Sequence, residues 1–363
     1  MGNVIRMLAT TCLIVICGSF ASLSAHAADS VEMRFSAYYP ESYPTYKEGF
    51  KVWEEMVTRE SGGKVTFKNY LNGVLHTAKQ GFRAAKTDIC DLTHAYPTYQ
   101  PASFQLSVLN DLPYAIATTH GGVLAMEVLY PKYFKAEYEK MDVLLGCWVT
   151  TSEYNLITKK PVRSLADLKG MKIRSYGGLC SDTLTLLGAV PVMVQSAESY
   201  TSFQNGIVDG VLYPDSSMAS YRLFEIGKYH TKIGLSHMGV PYAMSPKFWK
   251  KLSPEMKKYM YDKLRQASQM ASVSYDIDDA YARNVLKENG VEFIELPEEE
   301  RAKFKEAVQP LWDRFVKENE AKGLPAAELV KELRELDARY SSMTREQVFE
   351  EVSKNPVQGI VDF

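Results

Sequence analysis

No excess of charge of either sign runs through this sequence: 42 lysines and arginines stand against 44 aspartates and glutamates, a net of −2 over 363 residues. A chain so balanced lacks the basic footprint that phosphate neutralisation needs, and this excludes nucleic acid as a partner. Cysteine is scarce, five in all, with no CxxC pair and no spacing that suits a metal site. Beyond the first segment no apolar run is long enough for a spanning helix. Also missing are the glycine-rich loops that cradle phosphates and dinucleotides, the paired histidines of zinc proteases and the serine elbow of hydrolases. Nothing in the sequence asks for a cofactor.

What is present begins with an export signal. Arg6 supplies a short positive start, Met7 to Phe20 carries no charge, and Ala25-His26-Ala27 is a small-x-small cleavage site. Residues 1–27 therefore read as a signal peptide, with cleavage near Ala27 and a mature chain in the periplasm. Cys17 follows the bulky Ile16, a poor setting for lipid attachment. Cys12 and Cys17 leave with the signal, whereas Cys90, Cys147 and Cys180 remain in an oxidising compartment. A Cys147–Cys180 bridge and buried free thiols both stay open here.

The mature part alternates between the two-residue period of strands and the longer period of helices. Val31 to Tyr38, Lys64 to Tyr70 and Ile89 to His94 read as strands, separated by helices from Ser42 to about Ser61 and from Ala78 to Lys86. A second unit follows, with strands at Val143 to Tyr154, Asn155 to Thr158, Met171 to Arg174, Val190 to Val194 and Val208 to Tyr213. Strands Tyr229 to Gly234 and Gly239 to Met244 carry the chain back. Pro254 to Asn289 contains no further proline and no glycine and reads as one long helix able to span both units. The tail from Pro297 to Val352 is helical and charged. The order β-α-β-α-β implies parallel sheets with right-handed crossovers, and two such units joined by crossing strands enclose a hinged cleft. The expected domains are 28–152 plus about 239–275, and 153–238 plus about 276–363 with the C-terminal helices.

Ligands of open α/β sheets sit beyond the carboxyl ends of strands. Tyr38, Tyr96 and Tyr213 fall at or just past such ends, and Tyr154 lies at the crossing between the units. Among 23 tyrosines, most straddle core and solvent, so position is what singles out these four. The run from Ser164 to Arg174 is a capped turn that passes through Gly170 into a strand ending on arginine. Such an arginine can present its planar fork to a carboxylate. From spacing alone, a surface arginine paired with an acid explains Arg174 equally well. His76, His94 and His120 have no carboxylate or cysteine at a useful spacing, although an exported enzyme using His94 or His120 is the competing class of function. Asp88 and Asp91 suit turn and cap work better than acid–base catalysis.

Several short segments occur in a telling order: Gly62-Gly63-Lys64-Val65, Gly73-Val74-Leu75, Asp111-Leu112-Pro113-Tyr114, Asp167 to Arg174, Glu198-Ser199-Tyr200 and Val208-Asp209-Gly210. With them the chain resembles the substrate-binding, DctP-type subunit of tripartite ATP-independent periplasmic (TRAP) transporters across nearly all of its mature length. That resemblance implies a two-domain hinged α/β fold of the periplasmic-binding-protein kind (type II-like), a long domain-spanning helix and a helical C-terminus. It implies no enzyme, but a monomeric protein that binds a small organic acid through Arg174 and delivers it to a two-subunit membrane permease. An ATP-driven transporter or a sensor is the alternative partner. Relatives that bind acidic sugars carry a second arginine where Tyr154 stands, an asparagine where Tyr213 stands and polar residues near Tyr38 and Tyr96. Ser196 stands where those relatives commonly have a stacking phenylalanine. One arginine among four tyrosines favours an aromatic monocarboxylate, with a branched or keto aliphatic acid behind it, a dicarboxylate next and a sulfonate last.

Overall fold

The computed structural model describes residues 30–363, so the expected signal peptide lies outside the described residues. The strands are β1 (Val31–Ser36), β2 (Val65–Tyr70), β3 (Leu92–His94), β4 (Leu144–Thr150), β5 (Asn155–Thr158) and β6 (Lys172–Ser175). They continue with β7 (Val190–Met193), β8 (Gly210–Tyr213), β9 (Tyr229–Lys232), β10 (Gly239–Met244) and β11 (Glu292–Glu295). One sheet has the order β2-β1-β3-β10-β4, the other β11-β9-β5-β8-β6-β7. In the first, β1 is parallel to β2 and β3, while β10 inserts antiparallel between β3 and β4. In the second, β6 is parallel to β7 and β8, and β5 is antiparallel to β8 and β9. Each sheet is the core of one lobe, and the returning strand β10 is the one the sequence places back in the first unit.

Two extended segments cross between the lobes, 151–154 and 233–238. They pair with each other: the Tyr154 amide donates to Ser236 O at 2.8 Å, Leu235 N to Tyr154 O at 3.0 Å and Thr151 N to Met238 O at 3.0 Å. The long strand expected to reach Tyr154 thus ends at Thr150. Its last residues are the hinge.

The third connection is the helix Pro254–Glu288, 35 residues, or roughly 50 Å at a rise of about 1.5 Å per residue. Proline occupies its first turn, where no amide is missed, and the Ser253 side chain caps it by accepting from Met256 N at 3.2 Å. Buried Met256, Met260, Leu264, Ala267, Ala271, Tyr275, Ala282 and Leu286 recur every three or four residues or multiples of that, which lays one stripe against both lobes. It packs closely on the wide helical turn Thr45–Phe50, where a Cβ on Gly49 would come within 2.7 Å of Ala271 Cα. The helix Glu298–Glu320 follows and contacts the helix Gly178–Leu186 of the second lobe. From Ala326 onward the tail differs from expectation. Helices Ala326–Ser341 and Arg345–Lys354 pack on helix Thr119–Leu129, beside β4 of the first sheet. Their charged pattern announces helices but carries no information about which lobe they cover. Among the described residues no helix is long and apolar enough to cross a membrane.

Candidate ligand-binding site

The segment before Arg174 folds as its residues dictate. Ser164 and Asp167 form a capping box, with the Ser164 amide donating to Asp167 Oδ2 at 2.9 Å. Gly170 then turns the chain with φ +76°, a left-handed conformation that suits glycine. β6 follows and ends one residue past Arg174, at Ser175.

Arg174 is not a surface residue. Its side chain is buried, at 1% exposure, on the wall of a cavity of about 290 Å³ between the lobes. The Nε–H donates to Val194 O at 3.1 Å and Nη2 to Ser196 Oγ at 3.3 Å. The Tyr213 ring lies 4.3 Å from the guanidinium carbon. These partners are neutral, and among the described residues lining the cavity Arg174 is the only charged one. Burial works against the cation, and the face of the neighbouring Tyr213 ring offsets part of that cost. With Nε committed, the end of the fork formed by Nη1 and Nη2 is what remains for a ligand.

The cavity brings Tyr38, Tyr96, Tyr154 and Tyr213 together, each of them singled out by position in the sequence. Tyr38 and Tyr96 come from the first lobe and their hydroxyls meet at 3.2 Å. Tyr213 ends β8 in the second lobe, and its ring lies 6.2 Å from that of Tyr154. Tyr43, Tyr99, Tyr176 and Tyr275 also line it and were not anticipated. Tyr176 stands just past β6, as Tyr96 does past β3, so the same strand-end rule could have found it. Tyr275 sits in mid-helix, and periodicity cannot distinguish a core tyrosine from one facing a cleft. Burial raises the Tyr99 phenol to about 12 and holds Tyr43, Tyr96, Tyr154, Tyr176 and Tyr275 well above their ordinary range. These rings are uncharged at neutral pH.

A model of bacterial extracellular solute-binding protein family 7, DctP, matches residues 35–319. The chain belongs to this family. It is 24% identical over 292 residues to the C4-dicarboxylate-binding periplasmic protein DctP of Rhodobacter capsulatus, covering 79% of this chain and 87% of that one. A TRAP periplasmic solute-binding protein of Bordetella bronchiseptica with bound (R)- and (S)-mandelate superposes with TM-score 0.77 at 25% identity, over 85% of this chain and 99% of that one. A TRAP solute-binding protein of Rhodoferax ferrireducens with copurified benzoate gives TM-score 0.81 at 21% identity, over 86% of this chain and 99% of that one. Other proteins of the fold hold galacturonate or glucuronate. The chain is thus a DctP-family TRAP solute-binding subunit, a family of periplasmic transport proteins that bind small organic acids and work with a membrane permease.

In this DctP-family chain His94 and His120, the two histidines of the competing enzyme reading, pair with no carboxylate among the described residues. His94 is fully buried against the rings of Tyr38, Tyr39, Tyr96, His76 and Tyr242. Burial drives its imidazole well below the ordinary value, with His76 adding to the effect, so it stays neutral. His120 lies elsewhere, with Nε2 bonded to Met343 O at 3.0 Å. Neither has the partner that a general base needs. The Asp111 signature residue supports the cavity from behind: it accepts from Thr98 Oγ1 at 2.7 Å and from Gly239 N at 3.0 Å, and burial raises it to about 6. It ties the loop holding Tyr96 and Tyr99 to the start of β10. Cys90, Cys147 and Cys180 are free and buried, which resolves the open question in favour of thiols.

Proposed function

We propose that the protein captures a small aromatic monocarboxylate between Arg174 and the tyrosine box formed by Tyr38, Tyr96, Tyr154 and Tyr213, then delivers it to the membrane permease of its transporter. The observation that carries this reading is a buried guanidinium whose partners are all neutral, set in a cavity lined by eight tyrosines. A buried cation without a counter-ion is costly, and one bidentate carboxylate removes that cost. With no second cation among the described residues of the wall, the far carboxylate of a dicarboxylate would be buried unpaired. The volume lies at the low end of the roughly 300–1,000 Å³ of small-molecule pockets, which favours a compact ligand.

The magnitudes are sufficient. Charge-assisted hydrogen bonds contribute about 1.5–3 kcal/mol each, and a good ring pair adds about 0.5–1.5 kcal/mol beyond area burial. Micromolar affinity needs about −8 kcal/mol, so one anchor and two or three rings reach it after ordering costs. Both lobes supply wall residues, so ligand contact favours the closed arrangement over the open one. The test is a thermal-shift panel of benzoate, phenylacetate, isovalerate, succinate and glucuronate on ligand-stripped protein, with mass spectrometry of whatever co-purifies. Benzoate or phenylacetate should give the largest shift. A larger shift from succinate or glucuronate would overturn the proposal.

A further inference from the structure

The two lobes also touch beside the cavity, through residues that do not line it. From the first lobe comes the short turn Pro97–Tyr99, which follows Tyr96 and carries the cavity residue Tyr99. From the second comes the helix Gly178–Leu186, which begins two residues after the cavity residue Tyr176. Turn and helix pack on each other, with Thr98 facing Gly178.

Gly178 lies at the surface, and its own lobe leaves it room. Apart from its chain neighbours and its own helix backbone, a Cβ at this position would meet only Thr98 within 4 Å, with Cγ2 at 2.7 Å and Cβ at 3.9 Å. Carbon atoms in good contact stand about 3.5–4.0 Å apart, so a methyl at 178 pushes against the opposite lobe. Thr98 is not free to turn its methyl aside. Its Oγ1 donates to buried Asp111 Oδ2 at 2.7 Å, and the same carboxylate accepts from Gly239 N at 3.0 Å. Rotation would break that bond and deprive a buried carboxylate of a donor. Backbone conformation alone does not demand glycine here: Gly178 has φ +53°, and Asp142 and Arg222 hold +53° and +54° elsewhere in the chain. The feature particular to position 178 is the neighbour across the lobes.

We infer that Gly178 is a positioning residue for capture: its missing side chain lets the second lobe seat on the Thr98 turn as the protein closes over an acid. This inference rests on the reading that capture closes the lobes. A methyl at 178 shifts the balance toward the open arrangement, and affinity falls with the fraction of molecules able to close. Because that methyl touches the opposite lobe and no cavity residue, acids of different shape lose affinity alike.

Calorimetry on ligand-stripped Gly178→Ala with benzoate and isovalerate tests it. Both acids are expected to bind roughly tenfold more weakly, equivalent to about 1.4 kcal/mol and within what an overpacked methyl costs. Thr98→Ser keeps a hydroxyl for Asp111 but lacks the Cγ2 that the alanine would meet. In a Thr98→Ser background, Gly178→Ala should therefore cost much less affinity than it does in wild type. Melting without acid reads any strain of alanine at φ +53°, which Thr98→Ser does not relieve. Wild-type affinity in Gly178→Ala would overturn the inference. So would a loss that is the same in both backgrounds, which would assign the effect to local strain, or a loss confined to one acid, which would make 178 a ligand contact. Absence of binding by both acids to wild type would defeat the proposed function itself, and this inference with it.

Discussion

Arg174→Met separates a ligand anchor from a structural brace, because the two roles predict opposite changes in the unliganded protein. Methionine fills much of the same space with a flexible apolar chain. In the empty cavity Arg174 carries a charge with no counter-ion, and such burial costs several kcal/mol per ion even after relaxation. Its stack on Tyr213 at 4.3 Å and its two bonds to neutral oxygens offset part of that. Losing them leaves the Val194 carbonyl unsatisfied, at about 1–3 kcal/mol. The relief of charge is the larger quantity, so the unliganded variant should melt at the same temperature as wild type or higher. Binding responds the other way: two charge-assisted bonds disappear, a loss of at least about 3 kcal/mol and hence a weakening of roughly a hundredfold or more. Calorimetry reads the affinity and thermal unfolding reads both effects. A ligand at a hundred times its Kd stabilises wild type by about 2.7 kcal/mol, and the same concentration should stabilise the variant by about 0.4 kcal/mol at most. Wild-type affinity in Arg174→Met would remove the residue from the site. A large loss of stability without ligand would make it a brace.

Tyr213→Ala and Tyr154→Ala should each weaken aromatic acids by more than they weaken small aliphatic acids, by about 0.5–1.5 kcal/mol per lost ring pair; equal losses in paired calorimetric titrations would count against the tyrosine box. Arg265 offers the opposite case to Arg174: it is buried and paired with buried Glu127 at 2.5 Å, so Arg265→Met should cost about 3–5 kcal/mol in urea unfolding by stranding a carboxylate, and a neutral result would refute that. The Asp279 carboxyl, which accepts from Ser216 N at 2.7 Å, is raised to about 7 by burial and by neighbouring Asp215. The folded state therefore holds this proton more tightly than the unfolded chain does, and stability is lost as pH rises from about 4 through about 7. Asp279→Asn should gain more over wild type near pH 8 than near pH 5, and an equal gain at both would contradict the assignment. Burial lifts the Cys90 thiol to about 12 and Cys147 and Cys180 above their ordinary value, so native protein should resist a disulfide reagent until it unfolds; prompt reaction would contradict that.

Much of the architecture could be read from the chain because it is local. The capping box at Ser164 and Asp167, the glycine turn at Gly170 and the strand to Arg174 all rest on neighbours within a few residues. The proline start and uninterrupted run of Pro254–Glu288 define the spanning helix in the same way. Helix Ala326–Ser341 marks the limit of such reasoning. Its own pattern fixes its conformation, whereas its seat against Thr119–Leu129 depends on surfaces two hundred residues away in sequence. The cavity divides along the same line. Tyr38, Tyr96 and Tyr213 could be found because strand ends in an open α/β sheet converge on one crevice. Tyr43 and Tyr275 reach it from a turn and a helix, where position along the element says nothing about direction.

The two buried arginines show why a residue's role here follows from its partners rather than from its surroundings. Arg174 and Arg265 are equally buried, each beside a tyrosine ring. Both lie in segments whose sequence permits an ion pair. Arg265 has its carboxylate inside the protein, supplied by Glu127 and held further by Ser268 Oγ at 2.5 Å. Its charge is satisfied whether or not anything binds. Arg174 has a carbonyl, a hydroxyl and a ring, so the negative group that would complete it must come from outside. Under the proposed function a ligand acid supplies that group, and the unpaired guanidinium is then the physical reason for closure to depend on the ligand.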